Sequence, residues 1–131
     1  MILDTSAVVG ILLREHGHAG LAGHVTDAVQ VGIGAPTLVE TEMVLVGRLG
    51  LDGKSLIRDF VLDEEIEVLA FDGEHAREAG RAFARYGKGR HPAGLNYGDC
   101  MTYATARLAG EPLLCLGDDF AKTDLELLPP G

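Results

Sequence analysis

The order of apolar and amphipathic segments is the feature that most constrains the fold of this chain. Short apolar runs alternate with longer segments whose apolar residues recur at helical spacing. The runs, which we interpret as strands, lie at 1–3, 31–35, 66–71 and 113–116. Such alternation predicts an α/β fold with three layers, α/β/α, around a central, mostly parallel sheet. The 131 residues fit a single domain spanning 1–131.

Capping residues, glycine and proline mark where the helices begin and end. Pro36 is suited to the first turn of a helix, and Gly50 is suited to its end. Asn96 is a good N-cap for a helix that ends at Gly110. The predicted helices cover about 5–14, 21–29, 36–49, 54–62, 73–86 and 97–109. We expect a last short edge strand at 125–128.

The net charge of −9 excludes one class of function and permits another. A protein that coats nucleic acid needs a basic surface, which this chain lacks. An enzyme that holds cations with clustered carboxylates carries negative charge by design. No apolar run approaches the roughly 20 residues of a membrane helix, and the first residues lack the features of a signal peptide. We therefore expect a cytoplasmic protein whose two cysteines are buried thiols.

Acidic residues occur in four places where a solvated surface charge is not the obvious explanation. These are Asp4, the pair Glu40 and Glu42, Asp99, and the group Asp118, Asp119 and Asp124. Acids that follow parallel strands point toward the same end of the sheet, where they would repel one another unless a divalent cation lay between them. Ligation by oxygen alone favours Mg²⁺ or Mn²⁺. Such a metal can activate water for attack on a phosphodiester.

Each acid also has an ordinary structural interpretation. Asp4 can cap the first helix, and Asp99 can form a capping box with Asn96. The acids at 118 and 119 can be turn residues. Spacing alone does not select Glu40 over Glu42. The joint placement of the acids, rather than any one of them, favours the metal site.

Four motifs, taken in order, resemble those of one protein family. They are Ile-Leu-Asp-Thr-Ser-Ala at 2–7, Pro-Thr-Leu-Val-Glu-Thr-Glu at 36–42, Gly-Leu-Asn-Tyr-Gly-Asp-Cys at 94–100 and Leu-Leu-Cys-Leu-Gly-Asp-Asp-Phe-Ala-Lys-Thr-Asp at 113–124. Together they resemble PIN-domain ribonucleases, and within these the VapC-type toxins of bacterial toxin–antitoxin pairs. The resemblance covers essentially the whole chain.

The resemblance implies a site, a substrate and partners. It implies that the metal ligands and catalytic residues are Asp4, Glu40, Asp99 and Asp119. It also implies that the residues supporting them are Thr5, Ser6, Asp118 and Asp124. The implied activity is Mg²⁺- or Mn²⁺-dependent cleavage of RNA, with tRNA as a possible class of substrate. The implied partners are a second copy of the chain, in a homodimer, and a cognate antitoxin that blocks the acidic pocket.

A basic segment stands out in this acidic chain. Four of its 11 basic residues, namely Arg81, Arg85, Lys88 and Arg90, lie within ten positions. The segment can contact RNA phosphates through Arg85, Lys88 and Arg90. The alternative is a solvated helix face and loop tip.

Two other classes of protein also gather acids at strand ends. Phosphoryl-transfer enzymes of the haloacid-dehalogenase type need Asp-x-Asp after the first strand, where this chain has Asp4-Thr5-Ser6. In a non-catalytic binding module the acids would contact an antitoxin or another protein, and Mg²⁺ would not bind. Both remain alternatives to the nuclease.

Overall fold

A computed structural model describes residues 1–129. Within this range strands and helices alternate as the sequence predicts. The strands are β1 (Ile2–Leu3), β2 (Gly32–Gly34), β3 (Glu67–Leu69) and β4 (Leu113–Leu114). The α-helices are α1 (Thr5–Leu12), α2 (His18–Asp27), α3 (Ala35–Leu49), α4 (Leu51–Asp63), α5 (Gly73–Tyr86) and α6 (Tyr97–Ala109). A 3₁₀ turn covers Phe120–Lys122.

The four strands form one sheet in the order β3-β2-β1-β4, and every pair is parallel. The prediction of a mostly parallel sheet is confirmed. Strand β1 lies inside the sheet, with Ile2 in register with Gly32 on one side and Leu113 on the other. The carboxyl ends of β1, β2 and β4 therefore meet at one edge, where the residues that follow them are brought together.

Two apolar clusters cover the two faces of the sheet, which confirms the three-layer arrangement. Leu3 and Leu114 belong to the cluster formed with α1 to α4. Their chain neighbours Ile2 and Leu113 belong to the cluster formed with α5 and α6. Successive strand residues point to opposite faces, so short strands buried on both sides are apolar throughout. Each buried aliphatic side chain contributes about 1.5–3 kcal/mol to folding.

Helix α6 has the limits that its capping residues predict. The Asn96 side chain accepts a hydrogen bond from the Asp99 N–H at 2.9 Å, and the Asp99 carboxylate accepts one from the Asn96 N–H at 3.0 Å. Gly110 ends the helix in the left-handed conformation, with φ of 66°. The reciprocal cap fixes Asp99 in the first turn, next to the edge where the strands end.

Two strand predictions need correction. The strand predicted as buried at 66–71 is shorter, and its residues Glu67 and Val68 are exposed, because β3 is an edge strand and no further segment of residues 1–129 pairs with its outer side. The strand predicted at 125–128 is reduced to a single parallel bridge between Leu113 and Leu127.

None of the helices in residues 1–129 has the length and apolar character of a membrane span. Both cysteines are buried, as predicted.

Candidate active site

A pocket at the carboxyl edge of the sheet brings three of the predicted acids together. Asp4 follows β1 directly, Glu40 lies in the second turn of α3, and Asp99 lies in the first turn of α6. All three line the same pocket. Its other lining residues are Thr5, Ser6, Val9, Glu15, Val44, Arg48, Leu116 and Gly117.

Asp4 is the only buried carboxylate among residues 1–129, with 6% of its surface exposed. One carboxylate oxygen, Oδ2, accepts hydrogen bonds from the Ser6 N–H at 3.1 Å and from the Ser6 hydroxyl. The other, Oδ1, accepts from the Thr102 hydroxyl at 2.9 Å. Asp4 therefore caps α1, as its ordinary structural interpretation predicts, and it also lines the pocket. The Ser6 hydroxyl accepts from the Leu116 N–H at 2.9 Å, which ties Asp4 to the segment after β4.

Glu40 lines the pocket from α3, at the place where α3 packs against α6. The Thr5 hydroxyl donates to Glu40 Oε1 at 2.7 Å and itself accepts from Thr41 at 3.0 Å. The Glu40 carboxylate lies directly against Gly98, where any Cβ would collide with it. Glu42 does not line the pocket. The structure therefore brings Glu40, rather than Glu42, beside Asp4.

Asp99 lies in an electrostatically unfavourable position. Burial, supported by the negative charges of Asp4, Asp119 and Glu40, raises the pKa of Asp99 to about 6, although the hydrogen bond from the Asn96 N–H opposes this rise. The effect of Asp119 indicates that the fourth predicted acid contributes to the same field. A carboxyl group whose pKa is raised toward neutral pH by burial and like charges is typical of a functional site.

The three acids of the C-terminal segment lie in different surroundings. Asp118 and Asp119 are exposed in the turn after β4. The Asp124 carboxylate accepts a hydrogen bond from the Tyr103 hydroxyl at 2.6 Å and lies 3.6 and 3.5 Å from the guanidinium groups of Arg85 and Arg107. Its contacts thus place Asp124 in a separate cluster from the acids of the pocket.

The basic segment is also partly committed to contacts within the chain. The Arg85 guanidinium lies 4.9 Å from the centre of the Tyr86 ring, in addition to its contact with Asp124. The Arg90 guanidinium lies 5.9 Å from the Phe83 ring, and Lys88 is exposed. None of these three basic residues lines the acidic pocket.

Arg48 is a pocket residue that the sequence analysis did not identify. It lies two turns after Glu40 on α3, and Glu40, Val44 and Arg48 all line the pocket. No carboxylate of residues 1–129 lies within ion-pair distance of its guanidinium. The signal in the sequence was the spacing of Glu40, Val44 and Arg48 at i, i+4 and i+8, which places the three side chains along one side of the helix.

The acids of the site also affect the pKa of the buried Cys115 thiol. Burial, with the charges of Asp4, Asp119 and Asp99, raises the pKa of Cys115 to about 12. At neutral pH this thiol is therefore protonated and unsuited to act as a nucleophile.

The donor set of the pocket suits a hard divalent cation. Its acidic groups are carboxylates, and hydroxyl groups of Thr5 and Ser6 lie beside them. In residues 1–129 no three acidic, histidine or cysteine side chains stand close enough together to hold a metal as they are. Glu40 is turned toward Thr5, and Asp99 toward the backbone of Asn96. A cation held by these carboxylates would remove their mutual repulsion.

Comparisons with known proteins agree with this fold. The PIN domain family matches residues 1–126. The chain is 47% identical to Ribonuclease VapC36 of Mycobacterium tuberculosis over 127 residues, covering 96% of this chain and 91% of the relative. It is 40% identical to Ribonuclease VapC of Mycolicibacterium smegmatis over 125 residues, covering 95% and 97% of the two chains.

Solved structures share the fold at low sequence identity. The crystal structure of VapC20 from M. tuberculosis, a toxin that cleaves the sarcin–ricin loop, superposes with a TM-score of 0.80 at 17% identity, covering 97% of each chain. VapBC from Salmonella typhimurium, bound to DNA, gives a TM-score of 0.74 at 18% identity, covering 98% of this chain and 95% of that one. From its matched domain and its relatives, the chain belongs to the VapC ribonuclease family of PIN-domain proteins.

Proposed function

We propose that this chain, as one nuclease domain, is the toxin of a VapBC toxin–antitoxin pair and cleaves RNA with the help of Mg²⁺ or Mn²⁺. The observation that carries the proposal is the pocket in which Asp4, Glu40 and Asp99 meet, with Asp119 acting on the same field. Three separate segments deliver these acids to one edge of the sheet. An arrangement that leaves Asp99 with a raised pKa has a direct physical reason if a cation is bound there.

The proposed ligands are Asp4, Glu40, Asp99 and Asp119. When bound, the cation supplies an activated water molecule and neutralises charge that develops on the attacked phosphate. Ser6 holds the Asp4 carboxylate, and Thr5 holds that of Glu40. Asp118, which adjoins Asp119 in the exposed turn, supports that ligand. For Asp124 we propose a different role, that of holding the C-terminal segment against Tyr103.

We assign Arg48 to the binding of the RNA phosphate. A guanidinium that lines a carboxylate pocket without a carboxylate partner in residues 1–129 can donate two parallel hydrogen bonds to a phosphate. The exposed Lys88, with Arg85 and Arg90 beside it, offers a second phosphate contact farther along the RNA. We propose a folded RNA such as tRNA as the substrate.

Cleavage of purified RNA with and without divalent ions tests the proposal. We expect cutting by the wild type with Mg²⁺ or Mn²⁺, none with a chelator, and a loss of at least about 100-fold in Asp4→Asn and Asp99→Asn. Asp59→Asn is the matched control, because Asp59 is an exposed acid on α4 that pairs only with Arg58. Cleavage by the Asp99 variant at the wild-type rate would refute the site.

Calorimetry with Mn²⁺ separates the remaining alternatives. If neither binding nor cleavage occurs, the acidic pocket is a protein-binding module. Phosphorylation of the protein itself on incubation with a phosphoryl donor would instead favour the phosphoryl-transfer class.

We propose that an apolar cleft beside the acidic pocket is the homodimer face. Pro36, Val39, Met43, Tyr97 and Met101 line this cleft, and Glu40 lines both it and the pocket. Met43 is 68% exposed and Tyr97 is 80% exposed. Exposed apolar residues grouped in this way are typical of a protein–protein contact.

Sedimentation of the purified chain tests the dimer. Met43→Lys should yield a monomer, because a charge would be buried at the contact. Val29→Lys is the control, since Val29 is equally apolar and fully exposed but lies outside the cleft. A Met43 variant that sediments as the wild type does would exclude this face.

We propose that the antitoxin is a basic, cytoplasmic protein that covers the acidic pocket. The net charge of −9 favours a partner with an Arg- or Lys-rich segment, and neutralisation of the pocket by that segment would exclude the cation. Co-expression with the adjacent reading frame should yield a complex without ribonuclease activity. Activity should return when the partner is removed by proteolysis. A complex as active as the free chain would contradict this arrangement.

A further inference from the structure

Two buried threonines form a hydrogen-bonded chain that ends on Asp4. Thr102 lies on α6, one turn after Asp99, and Thr37 lies near the start of α3, one turn before Glu40. Both are almost completely buried, at 0% and 2% exposure. The Thr102 hydroxyl lies 2.9 Å from Asp4 Oδ1, and the Thr37 hydroxyl lies 3.0 Å from that of Thr102.

The direction of these hydrogen bonds follows from the acceptor at the end of the chain. An ionised carboxylate can only accept, so the single proton of the Thr102 hydroxyl is directed at Asp4. Thr102 must then accept from Thr37, which donates. The two hydroxyl groups therefore act in series, and each bond polarises the next.

The hydrogen bonds divide the two oxygens of Asp4 into different roles. Oδ2 accepts twice, from the Ser6 N–H and the Ser6 hydroxyl, and so uses both of its lone pairs. Oδ1 accepts once, from Thr102, and retains a lone pair. Groups that hydrogen-bond to a ligand from behind fix the direction in which it presents its free lone pair to a metal.

We propose that Thr102, supported by Thr37, is a positioning residue that holds the Asp4 carboxylate with the free lone pair of Oδ1 available to the cation. This inference rests on the proposed metal-dependent function. Helix α6 thus makes two contributions to the site. It carries the proposed ligand Asp99 and, one turn later, Thr102, which orients the Asp4 carboxylate. Neither threonine touches substrate or metal.

Thr102→Val tests the inference, because valine has the shape of threonine but cannot donate. Calorimetry with Mn²⁺ on the purified chain should show about 10- to 100-fold weaker binding than in the wild type. In RNA cleavage kcat at fixed Mn²⁺ should fall, and added Mn²⁺ should recover much of it, while the KM for RNA stays the same. Thr102→Ser keeps the hydroxyl and should bind Mn²⁺ within about threefold of the wild type.

Thr105→Val is the matched control. Thr105 is 1% exposed, lies on the same helix, and donates only to the carbonyl of Met101 at 2.9 Å. Its loss should leave Mn²⁺ binding unchanged. Should Thr102→Val fail to fold, Thr37→Val removes the donor behind Thr102 and should weaken Mn²⁺ binding in the same direction, by a smaller factor.

The outcomes separate this inference from the function on which it rests. Binding of Mn²⁺ by the wild type and equally tightly by Thr102→Val would overturn the positioning role but leave the metal site intact. An equal loss in Thr105→Val would overturn it as well, because the effect would then be general to buried hydroxyls of α6. Failure of the wild type to bind Mn²⁺ would overturn the metal site and this inference together.

Discussion

Replacing Asp99 by asparagine should make the metal-free protein more stable at neutral pH, although it removes a proposed catalytic residue. The ionised Asp99 carboxylate is unfavourable in the folded chain because of its burial and because of the charges of Asp4, Asp119 and Glu40. Asparagine keeps an oxygen that can accept the hydrogen bond from the Asn96 N–H and carries no charge. The capping box is therefore retained while the repulsion is lost.

The magnitude follows from the raised pKa. Folding raises the pKa of Asp99 from 3.8 to about 6, mainly through burial, and this corresponds to about 3 kcal/mol at pH values above both numbers. Asp99 is only half-buried, so solvent screening reduces the expected gain to about 1–2 kcal/mol. For a chain of 131 residues this is a rise in Tm of about 3–8 °C.

The pH dependence gives a sharper test than the rise alone. Because the pKa of Asp99 is higher in the folded chain, this group favours folding fully below pH 3.8, and the contribution is lost as the pH rises through about 6. The Asp99 variant and the wild type should therefore converge near pH 4 and separate above pH 6. Circular dichroism melts in chelator from pH 4 to 7.5, with Asp59→Asn as control, measure the difference.

Addition of Mn²⁺ should reverse the order of stability at pH 7.5. The wild type gains stability by binding the ion, whereas the Asp99 variant gains little. The reasoning is refuted if Asp99→Asn is no more stable than the wild type in chelator at pH 7.5. It is equally refuted if the gap is as large at pH 4 as at pH 7.5, since the effect would not then come from ionisation.

Three further predictions concern other parts of the structure. Arg48→Ala should raise the KM for RNA about tenfold with little change in kcat, and steady-state kinetics against Arg58→Ala, an exposed arginine on α4, tests this. Burial raises the pKa of Cys115 to about 12, so thiol titration at pH 8 should detect no reactive cysteine until the chain unfolds, and rapid labelling of the native chain would contradict this. Tyr103→Phe should cost about 1–2 kcal/mol by removing a hydrogen bond to a charged group. Because the Tyr103 hydroxyl lowers the pKa of Asp124, that cost should shrink in denaturant titrations as the pH falls below 3.8, and a cost independent of pH would exclude this cause.

Local signals in the sequence were sufficient for much of the fold. Asn96 and Gly110 predicted both ends of α6, because capping depends on residues close together in the chain. The fully apolar run at 113–116 predicted a strand covered on both faces. The run at 66–71 predicted another buried strand, but β3 is exposed at one edge of the sheet, whereas β4 at the other edge has Leu127 beside Leu113. This difference depends on contacts between distant segments.

The sequence was sufficient to identify a set of candidate acids, but not to predict which of them line one pocket. Spacing alone did not select Glu40 over Glu42. Glu40 lines the pocket because α3 packs against α6 with the Glu40 carboxylate beside Gly98, a contact between distant segments. Asp124 is the last residue of the fourth motif, at 113–124. Its carboxylate contacts Tyr103, Arg85 and Arg107 and does not line the acidic pocket. The role of Arg48 required knowing which face of α3 meets the strand ends.

Because Glu40 lies close to Gly98, replacing Gly98 by alanine should impair activity without unfolding the chain. The atoms nearest to a methyl group at position 98 would be those of the Glu40 carboxylate, the flexible end of a side chain that can move aside while the backbone of both helices stays in place. A chain with alanine there would retain every acid and its whole core, yet present one of them at the wrong angle. We therefore expect Gly98→Ala to yield a correctly folded chain with impaired RNA cleavage, suited to raising antibodies or to capturing an inhibitor.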